Sequence, residues 1–135
     1  MEDNPVRLFQ TSFGKPPCKI WASAIENTGS FTINLCGGTK PHIGAMALSL
    51  PYQGSKNKKK LSCTTSLICV PHHKEDGLAF ELAEESARFL GKAVALTVGI
   101  HIDNASEDEI KKLSSNARKS MRLLIKTLLK KEAWK

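Results

Sequence analysis

Long apolar runs are missing from this chain: none reaches the roughly 20 residues that a membrane-spanning helix needs. The opening Met1-Glu2-Asp3-Asn4-Pro5 is acidic and lacks the basic and apolar regions of a signal peptide. A cytoplasmic protein with no membrane partner is therefore expected. Paired cysteines are missing too. Cys18, Cys36, Cys63 and Cys69 form no C-x-x-C, which removes a zinc ribbon and a thioredoxin-like centre. Each lies in or beside an apolar strand and is expected to be a buried, reduced thiol. Aromatic residues make up only 6% of the chain, too few for a stacking surface, and no RNA-binding sheet signature occurs. The net charge of +7 thus permits a nucleic-acid partner without arguing for one, and none is expected. Neither the G-x-x-x-x-G-K-[ST] phosphate loop nor G-x-G-x-x-G is present.

What is present fits one domain over residues 1–135, with loose ends at 1–5 and 131–135. Part of the positive charge sits in a lysine-rich loop over 54–60. More lies on the last helical segment, at Lys126, Lys130, Lys131 and Lys135. The first half reads as strands over Val6–Phe13, Cys18–Glu26, Phe31–Leu35, Ala45–Leu50 and Leu61–Val70, with Asn27-Thr28-Gly29 as a tight turn. Trp21 and Ile25 face one way in the second of these, and Ile20, Ala22 and Ala24 the other. The period then changes. Leu78, Leu82, Phe89 and Leu90, with Ala79, Ala83 and Ala87, form a helical face that Gly91 stops. Ala93–Ile102 is a strand with a large face (Val94, Leu96, Val98, Ile100) and a small one (Ala93, Ala95, Thr97, Gly99). The small face receives a close helix or floors a pocket.

Ser106 and Glu109 form a capping box that opens the last helix. Ile110, Leu113, Ala117, Met121, Leu124 and Leu128 give it an apolar stripe, widened by Leu123, Ile125 and Leu129. The fold class is α+β: a mainly antiparallel sheet of about six strands, then helix–strand–helix, with two helices packed on the sheet. Leu61–Ile102 should form a right-handed parallel crossover.

Three polar clusters stand at strand ends, and all four histidines fall in them. The first is Gly37-Gly38-Thr39-Lys40-Pro41-His42-Ile43-Gly44, a bend whose glycines let a ligand approach the backbone. The second is His72-His73-Lys74-Glu75-Asp76, at a helix start where anions are favoured or where Glu75 or Asp76 caps and charges the first turn. The third is His101-Ile102-Asp103-Asn104, where Asp103 can orient His101 or serve the helix N-terminus. Adjacent histidines are a poor frame for zinc, so no metal is expected.

Taken together, the first bend, His73-Lys74-Glu75-Asp76 and Gly99-Ile100-His101-Ile102-Asp103-Asn104-Ala105 resemble the prenylated-flavin chaperone family. That family is associated with flavin-dependent decarboxylases of hydroxybenzoates such as gallate. Its fold is similar to that of small proteasome-assembly chaperones. The resemblance runs from about Cys18 to the final helix and departs at His72, where a glycine is expected. It implies a non-catalytic homodimer that binds prenylated FMN, or FMN, and helps deliver it to a partner decarboxylase. Gly37, Gly38 and Gly44 would shape the bend. Lys40 and the Gly37 and Gly38 amides would take the phosphate, with Lys74. His42, His73 and His101 would hydrogen-bond the ring or ribityl oxygens, with Asp103 and Asn104 beside them and Asp103 orienting His101. Two rivals stand beside this reading: a pure protein–protein assembly factor, and a small enzyme using His101 and Asp103 as an acid–base pair.

Overall fold

The computed structural model describes residues 5–54, 60–71 and 74–133, without the side chains of 131–133. In chain order these form β1 (Arg7–Phe13), β2 (Ile20–Asn27), β3 (Ser30–Gly38), β4 (Ala45–Gln53), β5 (Leu61–Cys69), α1 (Asp76–Leu90), β6 (Ala93–His101) and α2 (Glu107–Ala133). The class is the expected α+β, with one six-stranded sheet ordered β1-β2-β3-β6-β4-β5. Every neighbouring pair is antiparallel except β3 with β6. β5 and β6 do run in the same direction, but β4 lies between them, and the parallel neighbour of β6 is β3.

Alternation decides what is buried. Side chains on a strand point to opposite faces in turn. Ile20, Ala22 and Ala24 of β2, Phe31, Ile33 and Leu35 of β3, and Val94, Leu96 and Val98 of β6 are all closed to solvent. Both helices cover this one face: α1 lies on β4, β5 and β6, and α2 mainly on β1 and β2. Leu82 and the alanines of α1, and Leu113, Ala117, Met121, Leu124 and Leu128 of α2, complete the core. Phe89, Ile110, Leu123 and Leu129 fall outside it and are exposed, because each stripe buries only the width that the sheet covers. The thiols differ similarly. Cys18 is buried, Cys36 and Cys63 are half-buried, and Cys69 at the edge is exposed; all four are free.

Among the described residues, no helix lies on the opposite face of the sheet. Across its register lie Leu8-Gln10-Ser12, Trp21-Ser23-Ile25, Thr32-Asn34-Cys36, Ala95-Thr97-Gly99, Met46-Leu48-Leu50 and Thr64-Ser66-Ile68. Not one of these residues is charged. The small face of β6 therefore belongs to an open surface, not beneath a helix.

The helix ends follow from local chemistry. Ser106 Oγ accepts from the Glu109 amide at 3.1 Å and Glu109 Oε1 accepts from the Ser106 amide at 3.0 Å, which is the expected capping box. Gly91 ends α1 in a left-handed conformation, φ +65°, and its amide donates to Ala87 O.

Candidate functional site

The parallel pairing of β3 with β6 builds the site. It sets Gly38 opposite His101, so the Gly-rich bend leaves the sheet beside the end of β6. The backbones touch closely there. A Cβ on Gly38, which has φ +77°, would run into the His101 carbonyl, and one on Gly99 would strike the His42 carbonyl. Thr39 and Lys40 both donate their amides to His101 O, at 2.8 and 3.2 Å, and Gly44 N donates to Val98 O at 2.8 Å. The Gly38 amide donates to Lys19 O at 3.1 Å. The amides of the bend are thus largely spent on the fold, and its outward chemistry comes from side chains.

Lys40 reaches across to Asp103, with Nζ 2.5 Å from Oδ2, while His101 Nε2 lies 2.8 Å from Asp103 Oδ1. The hydrogen bond from Lys40, and next that from His101, hold the Asp103 carboxyl below its ordinary value of 3.8. Asp103 therefore orients His101, as the sequence suggests, and ties the bend to the β6–α2 loop. Asn104 follows with φ +53°, a left-handed turn residue that does not cap α2.

His42 turns inward and is more enclosed. Its Nδ1 lies 2.9 Å from Lys40 O and its Nε2 3.0 Å from Glu75 Oε1. A carbonyl only accepts, so Nδ1 carries a hydrogen. Nε2 faces a carboxyl group, and a hydrogen bond there needs one more proton, on the ring or on Glu75. Both groups are largely enclosed. Glu75 Oε1 also accepts from the Ile100 amide at 3.4 Å. Gly44 lacks the Cβ that would collide with this carboxyl group. Glu75 holds the N-cap position of α1 but makes no side-chain capping hydrogen bond; its side chain crosses to the sheet instead.

Beside these groups lies a cavity of about 400 Å³, between the start of α1, the end of β6 and the start of α2. Leu78, Ile100, Ile102, Ala105, Ile110 and Leu113 form its apolar wall, and Lys74, Glu75, His101 and Ser114 supply its polar groups. Of the residues expected from sequence, Lys74 and His101 line it. Asp103 contacts His101, Lys40 contacts Asp103, and the His42 and His101 rings meet edge-on with centroids 6.1 Å apart. Gly37, Gly38 and Gly44 shape the bend without lining the cavity. His73 lies outside the described residues. The described residues of all three polar clusters thus meet within one subunit. Sequence offers Glu75 only as a cap and charge for the first turn, and Leu78, Ile100, Ile110 and Leu113 only as members of apolar faces. Their positions depend on long-range register, for which a local sequence window holds no signal. Among the described residues, no three histidine, cysteine or acidic side chains converge as metal ligands.

Comparison with known proteins agrees with this architecture. Residues 14–129 match the family model described as a prenylated flavin chaperone LpdD-like domain. A solved structure, a chaperone complex for yeast 20S proteasome assembly, is similar with a TM-score of 0.55 at 9% identity. That match covers 94% of this chain and 98% of the other, a likeness of fold alone. No match to a curated protein is found.

Proposed function

Because this chain belongs to the prenylated flavin chaperone LpdD-like domain family, we propose that it binds prenylated FMN and hands it to a flavin-dependent decarboxylase. The family is one of chaperone domains, and the chain is not an enzyme. The observation that carries the cofactor reading is the cavity lined by the second and third clusters, beside the bend of the first. Its size suits a small ligand, and an apolar wall with a few polar groups is the usual make-up of a ligand pocket. The prenylated ring system would lie against Ile100, Ile102, Leu78 and Leu113. Glu75 and His101 would meet its polar edge. With the Gly38 amide already given to Lys19, the phosphate falls to the side chains of Lys40 and Lys74. Lys40 must then exchange Asp103 for phosphate, so Asp103 acts as a stand-in anion in the empty form.

The chaperone works as a homodimer in this reading. Two copies carrying +7 each repel one another, and an isologous contact avoids that best through a surface without charge. The middle of the helix-free sheet face is such a surface, with Lys19 over the Trp21 ring at its end. It exposes Met46, Leu48, Leu50 and Ile68, and sheets of this kind pack face to face.

Titration with prenylated FMN and with plain FMN, followed by flavin absorbance and fluorescence, tests the cofactor reading. Saturable binding of the prenylated form, weakened in Lys40→Ala, is expected. Failure to bind either flavin at millimolar concentration would leave a chaperone that acts through protein contacts alone.

A further inference from the structure

Much of the positive charge of this protein lies on α2. Between Glu109 and Glu132 the chain carries eight lysines and arginines and no acid. Helix stability accounts for only part of the pattern. Lys126 and Lys130 gain from the macrodipole at the C-terminal end, and Lys111 and Lys112 follow Glu107 and Asp108 at four-residue spacing. Arg118, Arg122, Lys126 and Lys130 follow one another at four-residue spacing, an arrangement of like charges that weakens a helix. Arg118 and Arg122 are offset by Glu81 and Glu85 of α1, at 2.9 and 3.6 Å, and Lys119 lies over the Phe13 ring. Among the described residues, Lys111, Lys112, Lys126 and Lys130 have no such counterpart and are exposed. They span roughly 28 Å of helix at 1.5 Å per residue.

We propose that this outer face of α2 docks an acidic surface on a protein partner. Insertion into a membrane does not suit it, because the apolar stripe of α2 is buried in the core. Nucleic acid suits it less than protein. The two arginines, whose planar forks favour phosphate, are occupied by carboxylates. Leu123 and Leu129 stand exposed among the lysines and offer apolar contact that a phosphate backbone cannot use. A charge-steered, readily reversible contact fits a protein that must meet a recipient and leave it again. The proposal rests on the chaperone reading only in taking the partner to be a protein.

The test uses the full chain and a variant carrying Lys111→Gln, Lys112→Gln, Lys126→Gln and Lys130→Gln. A control variant carries Lys15→Gln and Lys92→Gln. Poly-L-glutamate, duplex DNA and phosphatidylserine vesicles serve as probes, at low and at physiological ionic strength. The expected result is salt-sensitive binding of poly-L-glutamate that falls about tenfold in the α2 variant and little in the control. Equal binding by all three proteins, or none by the unmodified chain at low ionic strength, overturns the proposal. Tighter binding of duplex DNA or of vesicles at physiological ionic strength overturns it in favour of that class. Prenylated FMN titrated into the α2 variant separates the two readings. Binding as in the unmodified chain shows an intact fold, whereas failure in both proteins counts against the cofactor reading alone.

Discussion

Glu75 and His42 meet at 3.0 Å across the join between the Gly-rich bend and the start of α1. Both are largely enclosed, and the ring is held at its other nitrogen by Lys40 O. This contact fixes the bend that carries Lys40 to the wall of the cavity. Glu75→Ala removes the partner of His42 and the acceptor of the Ile100 amide together. A loss of about 2 kcal/mol is expected, in the range for hydrogen bonds to charged groups. Glu75→Gln should cost less, since an amide keeps the shape and one acceptor. Urea unfolding of both variants checks this. A loss below about 0.5 kcal/mol for Glu75→Ala would mean the contact does not hold the bend.

The bend should also refuse side chains at two glycines. Alanine at Gly99 would place a methyl group in the His42 carbonyl, which is backbone and cannot swing aside. Alanine at Gly44 would meet the carboxyl group of Glu75. Gly99→Ala is expected to be the more damaging, at more than about 2 kcal/mol, and Gly44→Ala to displace Glu75 from His42. Chemical shifts of the His42 ring nitrogens would report that displacement. Unchanged shifts in Gly44→Ala would show that the carboxyl group has room the structure does not give it.

Much of this was legible in the sequence, for identifiable reasons. Period-two alternation in Phe31, Ile33 and Leu35 and in Val94, Leu96 and Val98 marks strands that bury one face, and those residues are the core. Ser106 and Glu109 cap α2 because the motif is complete within four residues. The site was half legible. His101 and Asp103 lie two residues apart and their bond follows from spacing, whereas Lys40 to Asp103 and His42 to Glu75 depend on β3 lying parallel to β6. The exposure of Phe89 and Ile110 was hidden for a related reason. A helical stripe states which residues are apolar, but not how much of the stripe the sheet is wide enough to cover.

The carboxyl group of Asp103 should titrate below the ordinary carboxylate range, because Lys40 and then His101 stabilise its charged form. The sign for stability follows. A depressed folded value means the contribution is present above the unfolded value near 3.8 and is lost as pH falls through the lower folded value. Lys40→Met removes the larger cause, so the carbon-13 titration midpoint of the Asp103 carboxyl should move up. A midpoint unchanged by that substitution would show that the ion pair is not formed in solution.

If the cofactor phosphate replaces Asp103 on Lys40, as proposed, two substitutions act in opposite directions. Lys40→Ala removes a cation from the phosphate site and should weaken prenylated FMN binding about tenfold, the scale of one charge-assisted hydrogen bond. Asp103→Asn releases Lys40 from its competitor and should tighten binding by a few-fold. Dephosphorylated prenylated riboflavin should be insensitive to both. If Lys40→Ala weakens the phosphate-free ligand equally, Lys40 acts on the shape of the bend and not on the phosphate.

Leu48 stands near the middle of the helix-free face, between Ala95 of β6 and Ser66 of β5, with its side chain 44% exposed. A glutamate there points away from the core, so the fold should survive with a stability change within about 0.5 kcal/mol. In a homodimer that closes this face, the same substitution places two like charges in the uncharged middle of the interface. Burying each without a partner is costly, and Leu48→Glu should therefore give monomers where the unmodified chain gives dimers. Sedimentation velocity reads the outcome directly, with circular dichroism confirming the fold. Dimers that persist unchanged in Leu48→Glu would place the contact elsewhere, and the uncharged face would then be open for the recipient of the cofactor.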